Sequence, residues 1–395
     1  MSVSPVIFRK GLNLKHEVAG VLAESYHSEL VQQIKASDYH YSSGRLSIFL
    51  AREFGFCYGV DRAVDYAYQA RRRFPDKQVF LTGEIIHNPH VNDQLRAQGI
   101  RFLSDPGENP AAVGPDDVVI LPAFGVTVEE LLRLTTAGCT LVDTTCGSVL
   151  NVWKNVTRYS REQFTSVIHG KYWHEETRAT ASQVAGGHYL IVLDQTEAAV
   201  ACDYIRLSGT PDPVRRAAFL ERFGKAISRG FDPDVHLERI GCANQTTMLS
   251  TESMHVGEMF RQAMAARYGE AELSHRFRAF DTICSATQER QDAIVQLLAE
   301  ESIDLMLVIG GYNSSNTCNL ARICAEKVPT YHIADPEGLI SATEIQHRAV
   351  ATKSEVTTDD WLPASGPVRV GLTSGASTPD NLVERVVRTL ERFTA

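Results

Sequence analysis

From Leu46 onward the chain alternates short apolar, β-branched runs with longer stretches whose apolar residues recur at helical spacing. That alternation predicts an α/β fold built from small parallel sheets. Residues 1–45 are more polar and irregular, with one helix predicted near Glu17 to Ile34, and read as an N-terminal extension. Further on, Ser47 to Ala51 reads as a strand, Gly55 to Gly59 as a turn and Val60 to Arg73 as a helix. Thr140 to Asp143 reads as a strand that leads through Thr144, Thr145 and Cys146 to a helix from about Val149 to Arg161. Phe277 to Ile283 reads as a strand, followed by Cys284 and a helix from Ser285 to Glu301. Cys57, Cys146 and Cys284 therefore share one local context, each between a strand and a helix.

After each cysteine come two further predicted strands, each ending in a polar loop. The first pair is Gln78–Thr82 with His87-Asn88-Pro89, and Val118–Leu121 with Ala123-Phe124-Gly125. The second is Thr165–Ile168 with the loop from His169 to Glu176, and Leu237–Gly241 with Asn244-Gln245-Thr246-Thr247. The third is Asp304–Ile309 with Asn313-Ser314-Ser315-Asn316, and Pro367–Thr373 with Ser374-Gly375-Ala376-Ser377. The expected organisation is an extension over 1–45 and modules over 46–145, 146–283 and 284–395, the last carrying a C-terminal helix. A helical insertion is expected at 196–236. Ligands of open parallel sheets bind beyond the carboxyl ends of the strands, where these loops lie.

Composition narrows the class. A formal charge of −9 over 395 residues leaves no basic footprint for nucleic acid. The longest apolar run, around Leu305 to Ile309, is far too short to span a membrane. The N-terminus shows no signal-peptide core, so a cytoplasmic protein is expected. In a reducing compartment eight cysteines suggest metal or catalysis before disulfides. No CxxC pair supports a zinc ribbon.

A helix N-terminus favours thiolate, the form that binds iron. Three ligands on a four-iron cluster leave one iron open to substrate, whereas a fully ligated cluster mostly transfers electrons. Cysteines also serve as small buried hydrophobes, so the context alone leaves both readings open. Asn313-Ser314-Ser315-Asn316 and Ser377 open helical runs and suit a phosphate, although helix caps favour the same residues. His174-Glu175-Glu176 pairs an imidazole with carboxylates for proton delivery, or is a solvated first helical turn.

Taken in order, Gly55-Phe56-Cys57-Tyr58-Gly59-Val60, Glu84-Ile85-Ile86-His87-Asn88-Pro89, Asp143-Thr144-Thr145-Cys146, His169-Gly170-Lys171, His174-Glu175-Glu176-Thr177, Asn244-Gln245-Thr246-Thr247, Ala286-Thr287-Gln288-Glu289-Arg290-Gln291, Asn313-Ser314-Ser315-Asn316 and Ser374-Gly375-Ala376-Ser377 resemble the 4-hydroxy-3-methylbut-2-enyl diphosphate reductase (LytB) family. The resemblance runs from about 46 to 390 and points to the plant and cyanobacterial branch. It implies a pseudo-threefold trefoil of three α/β modules around one [4Fe–4S] cluster, held by Cys57, Cys146 and Cys284 with one iron open. It further implies an allylic diphosphate against His87, Asn313, Ser314, Ser315, Asn316 and Ser377. His174, Glu176 and Thr246 would then handle protons, and a ferredoxin or flavodoxin would supply electrons. The implied reaction is the last step of non-mevalonate isoprenoid synthesis, giving isopentenyl and dimethylallyl diphosphate.

Two departures stand out. Phe124 occupies a position where many bacterial members carry histidine, which leaves Lys171 to supply positive charge. Gly147 and Ser148 follow Cys146 in place of proline and a bulky residue, and predict a loosened helix start. Two alternatives compete: a non-catalytic electron carrier or redox sensor, in which Cys242 would be the candidate fourth ligand, and another trefoil cluster enzyme of the quinolinate or diphthamide synthase type.

Overall fold

The computed structural model describes residues 6–207, 209, 212–280 and 282–395. Positions 1–5 of the expected extension, 208, 210 and 211 of the expected insertion, and 281 of the predicted strand after Phe277 lie outside the described residues. The described strands are β1 (Ile7–Phe8), β2 (His40–Ser43), β3 (Leu46–Leu50), β4 (Val79–Leu81), β5 (Arg101–Phe102), β6 (Val118–Leu121), β7 (Thr140–Asp143) and β8 (Thr165–His169). They continue with β9 (Tyr189–Val192), β10 (Ile240–Asn244), β11 (Phe277–Ala279), β12 (Leu305–Ile309), β13 (Thr330–Ile333), β14 (Glu344–Arg348), β15 (Glu355–Asp359) and β16 (Val368–Ser374).

Three sheets result, ordered β1-β7-β6-β4-β5, β11-β10-β8-β9 and β15-β14-β13-β12-β16-β3-β2. Without β1, β2, β14 and β15, each keeps four parallel strands in one order: the strand that leads into a cysteine, then the third, first and second strands of the segment beside it. The strand before Cys146 (β7) sits beside β6, the strand before Cys284 (β11) beside β10, and the strand before Cys57 (β3) beside β16. Thus β3, which lies in the span 46–145, hydrogen-bonds into the sheet of the last segment. Central strands such as β8, β10 and β12 are buried at every position, as expected for parallel strands covered on both faces.

The chain divides into two compact units. One comprises Met1–Ala123, Ala137–Thr144 and Ser285–Ala395, and holds the first and third sheets; the other comprises Phe124–Thr136 and Thr145–Cys284, and holds the second. The core of the second sheet is completed by helices Gln195–Leu207 and Pro213–Phe223, through Ala198, Cys202, Ile205, Phe219 and Phe223.

The expectation of one helix in an irregular extension is corrected by the structure. Residues 6–45 form helices Lys15–Tyr26 and Glu29–Ala36, and strands β1 and β2 pair with β7 and β3. His27 closes the first helix, giving its N–H to the Ala23 carbonyl, and Ser28 caps the second, accepting from Val31 N. Leu30, Val31 and Ile34 pack with Val383, Val386, Val387 and Leu390 of the C-terminal helix Asp380–Thr394. That helix has buried residues at helical spacing, and Leu390→Ala would cost about 2–5 kcal/mol. Other boundaries also moved. β10 runs to Asn244 instead of ending at Gly241, β11 ends at Ala279, and the helix after Cys146 begins at Gly147. No described helix is long and apolar enough to cross a membrane.

Candidate functional site

The first unit gathers the polar loops at the carboxyl ends of β4, β12 and β16. His87 lies just before the helix Pro89–Ala97, which starts there because Asn88 caps Val91 N at 3.3 Å and Pro89 takes the first helical position. The His87 ring is nearly buried, and its Nδ1 lies 2.7 Å from Glu84 Oε2. Asn313 Nδ2 donates to the same carboxylate at 2.9 Å and lies 3.3 Å from His87 Nδ1. Ser377 Oγ donates to the His87 carbonyl at 3.2 Å. Ser314 caps the helix Ser315–Ala325, accepting from Thr317 N and Thr317 Oγ1. Asn316 Oδ1 accepts from Ala376 N at 3.1 Å, while its Nδ2 donor is buried without a protein partner. Ser314, Ser315, Asn316 and Ser377 are all buried. A buried amide donor with nothing to donate to, at the start of a helix, fits an anion.

The turn bearing Cys57 belongs to this cluster. Cys57 N donates to the Ala376 carbonyl at 3.2 Å, one residue before Ser377. Gly55 takes a positive φ of 81°, gives its N–H to Ser374 Oγ, and has its carbonyl held by Arg290 Nη2 at 2.8 Å.

The second unit builds a different group. His174 caps the helix Glu175–Ser182, its Nδ1 accepting from Glu176 N at 3.1 Å. Glu176 is 2% exposed, and its Oε1 accepts from Thr246 N at 2.5 Å. Thr246 in turn accepts from Cys284 N at 3.3 Å through its carbonyl. Glu175, by contrast, is exposed. Lys171 and Thr177 both donate to Gln245 Oε1, at 3.2 and 3.1 Å, and so tie the loop after β8 to the loop after β10.

The cysteines sort by setting. Cys57 and Cys146 sit at the position just before the helices Tyr58–Arg73 and Gly147–Arg161, and Cys284 directly precedes Ser285–Glu300; all three are half-exposed. Cys139, Cys202, Cys242 and Cys324 are buried. Burial pushes the Cys202 and Cys324 thiols up to about 12 and raises that of Cys242 further, which disfavours the thiolate a metal needs. Cys242 faces the core in the middle of β10, not at its end. Cys318 is half-exposed but sits inside a helix, with its Sγ donating to the Tyr312 carbonyl and Arg348 3.3 Å away. The donor set available to iron thus fits the three strand-to-helix cysteines.

The family described as LytB protein matches residues 48–391. The chain belongs to the LytB family. It is 50% identical to the 4-hydroxy-3-methylbut-2-enyl diphosphate reductase of Gloeobacter violaceus, over 96% of this chain and 91% of that protein. It is 48% identical to the enzyme of the same name from Synechococcus sp. strain CC9311, over 97% and 94%. Among solved structures, that of (E)-4-hydroxy-3-methylbut-2-enyl diphosphate reductase, the terminal enzyme of the non-mevalonate pathway, aligns with a TM-score of 0.52 at 27% identity. The alignment covers 87% of this chain and 99% of that one. LytB proteins use an iron–sulfur cluster.

Sequence reasoning did not single out Glu84, Gln245 and Arg290, although each lies within a motif that carried the family resemblance and each contacts a candidate loop. Glu84 was legible three positions before His87; Gln245 and Arg290 act on loops 68 and 235 positions away in the chain. The Gly147 and Ser148 departure does not delay the helix, since Leu150 N already bonds the Cys146 carbonyl at 3.0 Å.

Proposed function

We propose that this chain reductively removes the hydroxyl of 4-hydroxy-3-methylbut-2-enyl diphosphate. Two electrons and two protons go in, and water leaves with isopentenyl or dimethylallyl diphosphate. The observation that carries the reading is the buried donor cluster of His87, Ser314, Asn316 and Ser377 beside the Cys57 turn, with the Asn316 amide left to donate. It supports assignment of the diphosphate to these residues and to Asn313 and Ser315. Glu84 holds the His87 ring in place through the 2.7 Å contact at Nδ1.

Cys57, Cys146 and Cys284 are assigned as the ligands of one [4Fe–4S] cluster. When bound, the cluster supplies the electrons and an iron that acts as Lewis acid toward the allylic oxygen. Glu176 is assigned as the proton donor, with its carboxylate aimed by the Thr246 N–H, and His174 as a hydrogen-bonding neighbour. The burial of Cys242 supports an open iron and an enzyme over an electron carrier. An acidic one-electron carrier such as ferredoxin or a flavodoxin is the proposed donor.

The test is anaerobic assay of the purified, cluster-loaded protein with the hydroxylated diphosphate and a chemical reductant. Formation of the two C5 diphosphates is expected. A loaded protein that oxidises the reductant without consuming the diphosphate would overturn the assignment.

A further inference from the structure

The second unit contains an aromatic–imidazole pair in which the roles above give Phe124 no task. Phe124, the residue that replaces histidine in many bacterial relatives, meets the His174 ring edge-to-face, with centroids 5.8 Å apart and planes at 78°. The next residue, Gly125, has a φ of 77°, and a Cβ there would overlap the Trp153 indole and come within 3.2 Å of Thr145 Cγ2. The turn is therefore seated on Trp153, two helical turns beyond Cys146. Trp153 Nε1 is buried without a partner. A buried N–H left unsatisfied is costly, so this indole contributes shape instead of a hydrogen bond.

On its other side His174 is fixed by its own cap, because Nδ1 accepts from Glu176 N at 3.1 Å. A ring nitrogen that accepts carries no proton, so the imidazole is neutral and its proton sits on Nε2. Loss of the cap bond would free the ring to flip or change tautomer. Phe124 packs edge-to-face on that ring, and the contact would change if the ring turned.

We propose that Phe124, braced through Gly125 by Trp153, is a positioning residue that holds His174 as the Nε2–H tautomer, so that this imidazole presents a hydrogen-bond donor to the substrate. The inference rests on the reductase reading for its kinetic part only. An apolar ring thus stands in place of an imidazole and acts by fixing the direction of His174.

The test uses the full-length, cluster-loaded protein with Phe124→Leu, Phe124→Tyr, Trp153→Leu and the Phe124→Leu/Trp153→Leu double variant. An edge-to-face pair is lost in Phe124→Leu, and kcat should fall about 3–10-fold with KM within about twofold. Phe124→Tyr keeps the ring and should recover most of that loss. Trp153→Leu should lower kcat in the same sense, and the double variant should fall by less than the product of the two, because both act through one ring. Iron content is measured on every variant. A kcat loss that tracks iron loss would make the role structural and overturn the proposal, as would a rise in KM alone.

A second readout does not depend on turnover. In protein labelled with ¹⁵N histidine, with His174→Gln used to identify the signal, wild type should show an unprotonated Nδ1, and Phe124→Leu a mixture of tautomers. An unchanged tautomer in Phe124→Leu overturns the inference. Absence of diphosphate reduction in wild type would instead strike the reductase reading, leaving this spectrum to decide the positioning role.

Discussion

Glu176→Gln separates proton delivery from architecture. The carboxylate is 2% exposed, and its Oε1 accepts from Thr246 N at 2.5 Å. A glutamine oxygen can take the same bond with nearly the same volume, so the loop after β10 should keep its place. What disappears is charge assistance in one hydrogen bond, about 1 kcal/mol of stability, and the proton itself. A single positioned general acid contributes about 10²–10⁴ in rate, or roughly 3–5 kcal/mol of transition-state stabilisation. The catalytic loss should therefore exceed the structural loss severalfold. Anaerobic turnover with a chemical reductant should drop by at least a hundredfold, while iron content and diphosphate binding stay near wild type. Glu175→Gln, which alters an exposed neighbour, serves as the control and should retain activity. Near-normal turnover in Glu176→Gln would refute the reasoning and transfer the role to Glu175.

Three further outcomes are expected. Iron and sulfide analysis of eight single Cys→Ser variants should find loss at positions 57, 146 and 284 and about four irons per chain elsewhere; loss at Cys242 equal to that at the three would restore a closed cluster. Gly311→Ala would bring a Cβ to 2.5 Å from the His87 carbonyl, so KM for the diphosphate should rise at least tenfold with a smaller change in Tm; an unchanged KM would remove His87 from the binding loop. Burial lowers the His332 pKa from 6.5 to about 4, so the folded state binds fewer protons and stability is lost as pH falls through that window. Between pH 7 and pH 5 that group contributes roughly 1–2 kcal/mol of loss, and denaturant titrations of His332→Gln should show a correspondingly shallower pH dependence.

The local parts of this chain were legible because they obey local rules. Short apolar runs and helical periodicity located the parallel strands, and the three cysteines were recognisable from their place between strand and helix. Boundaries slipped where side-chain patterning is weak: Gly241 and Cys242 do not look like the middle of a strand, yet β10 runs through them because β8 and β11 offer hydrogen bonds on both sides. Residues 1–45 looked irregular because their apolar positions, Leu30, Val31 and Ile34, answer to a helix at the far end of the chain. Within the site, Ser314 and Asn88 could be read as caps, since capping is a short-range interaction. The Gln245 tie to Thr177, the Arg290 grip on Gly55 and the Trp153 seat under Gly125 depend on tertiary contact and leave no periodic trace.

The pairing of β3 with β16 has a consequence for how the protein is made. These strands are joined from Leu46↔Val368 to Leu50↔Leu372, so more than three hundred residues separate partners in one ladder. On the ribosome, β3 emerges early with only the β2 hairpin beside it, and an isolated hairpin is marginal in water. At about 5–20 residues per second its other edge waits tens of seconds for β16 to be synthesised. Of its five residues, four are buried in the finished protein, so this waiting strand is a segment in need of chaperone cover. Newborn chains stalled before Val368 should bind hydrophobic-segment chaperones at residues 46–50, and release them once β16 and the C-terminal helix have cleared the exit tunnel.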